Sequence, residues 1–197
     1  MIYETNIWKK DLKKQIKIIK KYNTTEQIEN DEEFFYSVME KSIFYSAFII
    51  RKLIDCKTKM SDEADNYELQ VESIKATRTM TLFHNFPDDN DYDWENKEKE
   101  IVKGRNICNW LIHSYVFFLM FDGEKVCDFC VSSDFNRNKT IYKISLESWV
   151  DYMKFIANDD ISELSAEWDE IKKDYICTKK QENKVFGVQG GINIGRR

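Results

Sequence analysis

The sequence predicts a mainly α fold of the α+β class, a helical bundle around one long buried helix with a small antiparallel β-sheet attached. Three observations predict it. Apolar residues recur at helical spacing near both ends of the chain. Residues 31–57 are apolar over most of a helix circumference. Asp122-Gly123 stands between two apolar runs rich in aromatic and β-branched residues.

Residues 7–22 form the first predicted helix: Trp8, Leu12, Ile16 and Ile19 recur three or four apart with lysines between them, and Thr5 or Asn6 can cap the start. The polar break Asn23-Thr24-Thr25 follows. Asn30 or Asp31, with Glu32 and Glu33, then supplies the negative charge that favours a helix N-terminus. The second helix, 31–57, carries Phe34, Phe35, Val38, Met39, Ile43, Phe44, Ala47, Phe48, Ile50, Leu53 and Ile54. A helix apolar nearly all round needs neighbours on several sides, which is why a bundle is expected.

Residues 58–100 alternate acidic stretches with Thr77-Arg-Thr-Met-Thr-Leu-Phe83, whose period-two pattern predicts a strand or extended segment. Pro87 and Asp88-Asp89-Asn90-Asp91 mark a loop that Trp94 can pin to the core, and a helix is expected from about Asn96 to at least His113. From Tyr115 the runs 115–121, 126–131 and 140–144 predict a small antiparallel sheet over about 115–144, although 115–121 fits an extension of the preceding helix as well. Ser145 can cap a helix over 146–157. A further helix fits 161–176 through Ile161, Leu164, Trp168, Ile171 and Tyr175. The expected organisation is a single helical domain over 1–177 and a tail over 178–197, flexible or lying across a partner. The tail's Gly187-Val-Gln-Gly190-Gly191 lacks the Gly-Lys-Ser/Thr ending of a phosphate loop.

With 197 residues, 42% of them apolar, the chain can bury one substantial core; 13 Phe, 10 Tyr and 5 Trp beside a single Pro favour compact packing over long linkers. No apolar run reaches the roughly 18–20 residues needed to cross a bilayer, so no membrane association is expected. Five scattered cysteines do not form the framework of a secreted disulfide scaffold, which points to a reducing cytoplasm. The net charge of −5 hides a segregation: Lys9, Lys10, Lys13, Lys14, Lys17, Lys20 and Lys21 crowd the first helix, whereas the acids gather between Asp62 and Asp93. The lysines can meet a polyanion or another subunit's acidic surface, or form a solvated face.

Arg105, Asn109 and His113 fall four apart, on one stripe of a predicted helix whose other face is apolar. An imidazole beside a guanidinium can act as acid or base on a bound phosphate, as metal-free RNA cleavage requires. The same stripe can be a polar seam in which Asn109 bonds a core His113 and Arg105 lies at the surface. Lys10, Lys14, Lys17, Lys21, Arg137 and Lys139 are the candidate nucleic-acid contacts. Cys127-Asp-Phe-Cys130 would need two more zinc ligands, and on a strand its thiols diverge; no metal and no cofactor is expected. Arg78 and His84, five residues apart in between, flank an extended stretch, and His84 reads as a residue at the edge of the core.

Ile107-Cys108-Asn109-Trp-Leu-Ile112-His113-Ser114-Tyr115-Val-Phe117, with Ser133-Asp134 and the run Arg137 to Ile144, resembles a set of small uncharacterised bacterial proteins over about residues 100–157. More distantly, a long buried helix paired with a later helix bearing Arg, Asn and His resembles HEPN domains. Those are helical bundles used as ribonucleases and RNA-binding modules in bacterial toxin, abortive-infection and antiviral systems. The HEPN ribonucleases place four to six residues between Arg and His, whereas Arg105 and His113 have seven. The resemblance implies an RNA-targeting or defence-associated protein, a metal-independent ribonuclease with His113 as acid/base, Arg105 on phosphate and Asn109 as orienter. The alternative is a non-catalytic protein-interaction or oligomerisation module; RNA and a protein are the candidate partners, and a homodimer suits both readings.

Overall fold

The computed structural model describes residues 4–84 and 86–181. Helix takes up 41% and strand 33% of it, so the expectation of a mainly α bundle is overturned: this is an α+β fold. The two N-terminal helices fall where apolar periodicity puts them. Helix α1 spans Thr5–Tyr22 and buries Leu12, Ile16 and Ile19; after the short α2, Thr25–Asn30, the long α3 spans Glu32–Ile54. Asp31 caps α3 by accepting from the Phe34 N–H at 2.9 Å.

The correction lies in the middle of the chain. After a single turn, α4 at Asp62–Asp65, Glu68–Lys75 forms strand β1 and Glu98–Lys103 forms β2. The expected helix from Asn96 to His113 is therefore a strand followed by a nine-residue helix, α5 at Gly104–Ile112. Strand β3, Ser114–Asp122, and β4, Lys125–Ser133, make the hairpin that Asp122-Gly123 announces, with Gly123 at φ 61° in the turn; β5 is Thr140–Ser145. These five strands are antiparallel in the order β2-β1-β5-β4-β3. Two of them, β1 and β2, lie outside the 115–144 region expected to hold the sheet. The Thr77–Phe83 run is no strand, since Thr81 and His84 exchange backbone hydrogen bonds across a tight turn.

Helix α6, Leu146–Asn158, follows with Ser145 capping it through Ser148 N–H. The expected helix over 161–176 is instead a hairpin, β6 at Ile161–Asp169 and β7 at Asp174–Gln181, forming a sheet of its own. Its residues fit a helical period by spacing alone, but Asp169 accepts from the N–H groups of Ile171 and Lys172 and Lys173 sits at φ 50°, which closes a turn in the middle of the run. The expected tail also loses its first residues to β7; the glycines from Gly187 onward lie outside the described residues.

One face of the five-stranded sheet packs on the helices through Leu69, Val71, Phe129, Val131 and Ile144. The opposite face carries Ile74, Val116, Cys130 and Ile141, covered by Met80 and Tyr92 of the β1–β2 connection. Gly104 marks the switch from β2 to α5 because a Cβ there would lie 2.3 Å from the Tyr152 ring. Tyr152 is fully buried on α6 and stacks on Tyr67, so it cannot simply move aside. Gly104→Ala should cost about 1–3 kcal/mol by overpacking, read as a lower urea midpoint at unchanged slope.

Candidate functional site

The residues singled out by their spacing divide in the structure. Arg105 and Asn109 lie on the side of α5 that meets α3, and Arg51 and Asp55 of α3, one turn apart, come to face them. Arg105 reaches Asp55 at 2.8 Å and Asp65 at 2.9 Å; Arg51 pairs with Asp55 and donates its Nε–H to Asn109 Oδ1 at 2.9 Å. Both guanidinium groups are committed to carboxylates and an amide, so this is a closed ionic seam between helices. Beneath it, burial pushes the Cys108 thiol up, with Arg51 and Arg105 pulling weakly the other way, which leaves a neutral core thiol.

His113 does not join the seam. It sits at the C-cap of α5 with helical geometry ended, and its N–H bonds the Asn109 carbonyl. Its imidazole is exposed and has no hydrogen-bond or ion-pair partner among the described residues. The expected Asn109–His113 side-chain bond is not made among the described residues: Asn109 turns its Oδ1 to Arg51, and His113 leaves the helical stripe at the C-cap.

What His113 does approach is the β4–β5 loop, since its carbonyl accepts from the Asp134 N–H at 3.0 Å. In that loop Arg137 lies over the Tyr115 ring at 4.3 Å and pairs with Asp134, and Lys139 lies over the exposed Phe135 ring at 4.3 Å. The sheet thus gathers His113, Arg137 and Lys139 at one end. Lys10, Lys14, Lys17 and Lys21 remain on the solvent side of α1; Lys14 pairs with Asp11 and Lys21 covers the Tyr22 ring. Only Lys9 of this run is buried, where it bonds the Asp159 carbonyl at the end of α6 and pairs with Asp160.

Two further features escaped sequence reasoning. On β6–β7 the residues Leu164, Ala166 and Trp168 alternate onto one face, opposite Lys179, Cys177 and Tyr175. The other face carries Glu163 paired with Lys180, and Ser165 opposite Thr178. The first face is mostly apolar, and its outer part is uncovered, since Trp168 is 50% and Tyr175 62% exposed with their rings in edge contact, whereas Lys179 at its inner end is buried against Asp62. The period-two spacing of 164, 166 and 168 was the available signal, masked by an equally good helical match.

The second feature is Asp91, fully buried in the β1–β2 connection. Desolvation pushes its pKa up, but the Asp88 N–H, the His84 hydrogen bond and the positive charge of His84 and Arg78 outweigh this and hold the carboxyl below its ordinary value. Its stabilising effect is therefore present above the unfolded-state carboxylate value and lost as pH falls through the lowered folded value.

Comparison of the chain with known protein families, curated proteins and solved structures returns no match.

Truncating Arg105 or Asp55 should cost about 1–2 kcal/mol each, and the double variant should cost less than their sum by about 0.5 kcal/mol or more, because they share one network. His113→Ala should shift stability by less than about 0.5 kcal/mol, since its ring is exposed. Urea melts of the four variants provide both readings.

Proposed function

We propose that this chain is a non-catalytic interaction module that pairs with a second copy through the apolar face of the β6–β7 ribbon. The observation that carries this reading is the uncovered strip Leu164, Ala166, Trp168, Tyr175 and Cys177 on a two-stranded sheet. An isolated two-stranded ribbon is marginal in water and gains stability when its apolar face is covered. This one is tied to the body through Asp62, whose carboxylate accepts from the Lys179 N–H at 2.9 Å and pairs with the Lys179 ammonium at 3.2 Å.

A second copy suits the strip because its exposed part, Leu164, Ala166, Trp168 and Tyr175, carries no charge once Lys179 at its inner end is paired with Asp62, and an uncharged apolar strip is complementary to itself across a two-fold axis. Fully burying a Leu or aromatic side chain contributes about 1.5–3 kcal/mol, and these are already half-covered. Two copies then offset association costs of about 4–15 kcal/mol only narrowly, so the dimer is concentration-dependent. The ribonuclease reading has less behind it: Arg105 and Asn109 are engaged in the α3–α5 seam, and His113 stands apart from them.

A second reading, RNA contact, is favoured by the clustering of His113, Arg137 and Lys139 with exposed Phe135 at one end of the sheet. Cations beside an aromatic face suit a single-stranded backbone and its bases.

Light scattering across a concentration series should show a monomer–dimer equilibrium, and Trp168→Glu should return the protein to monomer without lowering its urea midpoint by more than about 0.5 kcal/mol equivalent. A wild type that stays monomeric throughout removes the proposal. With single-stranded RNA in EDTA, wild type and His113→Ala should be equally inert as nucleases; any retention should fall with salt and be weakened by Arg137→Glu with Lys139→Glu.

A further inference from the structure

We propose that His84, Asp88 and Asp91 form a binding site for a divalent metal ion of borderline hardness, with Zn²⁺ as the representative. One ligand atom from each of the three lies within 4.8 Å of the others, inside a segment of eight residues. Imidazole nitrogen with two carboxylate oxygens is a donor set such ions take readily, and three protein ligands leave a coordination position open to water or a partner group.

The independent sign is Asp91 itself. Its side chain is fully buried, and while Oδ2 receives His84 Nε2 at 2.8 Å and the Asp88 N–H at 2.6 Å, Oδ1 has no hydrogen-bond partner among the described residues. A buried carboxylate oxygen with no hydrogen bond is costly, and a cation closer than the Arg78 guanidinium would satisfy it. Arg78 supplies part of that charge, with Nη1 3.8 Å from Oδ1, beyond hydrogen-bonding reach; its side chain is 61% exposed and free to swing away. His84 is 35% exposed and Asp88 exposed, so the site opens to solvent on the side from which an ion would enter.

The frame is prepared. Thr81 and His84 exchange backbone bonds across Leu82-Phe83, Thr77 N–H bonds the Asp91 carbonyl, and Tyr92 beside it is buried against the sheet. Since the Asp91 carboxylate only accepts, Nε2 carries the shared proton; on metal binding that proton passes through solvent to Nδ1, which leaves the Nε2 lone pair for the ion and the imidazole neutral. The site has neither the paired Cys nor the paired His by which a zinc site is legible in a sequence. The His-x₃-Asp-x₂-Asp spacing lies in a loop, where no helical or strand period signals convergence.

Equilibrium dialysis of the full chain against Zn²⁺ tests the site, with Co²⁺ absorption to identify the donors. About one equivalent should be retained, with a Co²⁺ spectrum free of thiolate charge transfer, and Zn²⁺ should raise the Tm. His84→Ala and Asp88→Ala should each weaken binding by at least about tenfold. Asp88 makes no side-chain hydrogen bond among the described residues, so Asp88→Ala should melt like wild type without metal and separates lost ligation from lost folding. Arg78→Ala should bind at least as tightly as wild type, because it removes a competing cation. Absence of stoichiometric binding, binding unchanged in His84→Ala or Asp88→Ala, or a thiolate band at one equivalent of Co²⁺ would overturn the proposal.

Discussion

The burial of α3 is the constraint on which the rest of the molecule depends. Phe35, Met39, Ile43, Ala47, Ile49, Ile50 and Leu53 are completely excluded from solvent while Phe34, Tyr36, Tyr45 and Phe48 on the other side stay partly exposed, so the helix needs partners along one broad face and is not apolar-buried all round as its sequence suggests. Helix α1 meets it through Trp8 against Phe48, the β3 edge through Phe44 against Phe117 and Phe35 against Phe121, and α6 through Trp149. The Trp149 indole N–H donates to Ser46 Oγ, and that hydroxyl donates in turn to the Ile43 carbonyl, so both side-chain polar groups of this pair are satisfied inside the core. A helix enclosed in this way can be served by a sheet as well as by other helices. Apolar demand alone does not choose between them.

That enclosure also decides what the polar stripe of α5 becomes. Once α5 is laid against α3, Arg105 and Asn109 come within hydrogen-bonding reach of Asp55 and Arg51, and with Asp65 two cations meet two carboxylates. The four-residue spacing was real, but its third member fell past the end of the helix. His113 follows the backbone out of the helix and into β3, toward Asp134 and Arg137 rather than back toward Arg105. His113 and Arg137 thereby stand at the sheet-end loops and apart from the helix seam.

The end-of-sheet loops and the ribbon share a physical trait: each holds groups whose partners are incomplete among the described residues. Asp91 Oδ1 lacks a donor, and the ribbon's Trp168 and Tyr175 lack a cover. The α3–α5 seam, by contrast, is complete. Incomplete satisfaction on a well-framed segment is where binding energy remains available, which is why both proposals rest there and not on the residues with the most suggestive sequence pattern.

The long elements with a single strong period were legible without coordinates: α1, α3, α6 and the β3–β4 hairpin follow from apolar spacing, the Asp31 and Ser145 caps and Asp122-Gly123. Short runs that satisfy two periods were not, and only tertiary pairing settled them. Glu98–Lys103 is a strand because β1 offers it an antiparallel edge, and Gly104 lets the chain turn beneath Tyr152 into α5. Ile161–Gln181 is a hairpin because Asp169 and Lys173 close a turn in the middle of a helical-looking run. By itself the sequence determined which residues had to leave water and where the chain could turn. The sheet's pairing decided which side chains would stand next to one another, because hydrogen bonding between β1 and β2 joins residues about thirty positions apart, beyond the reach of any local period.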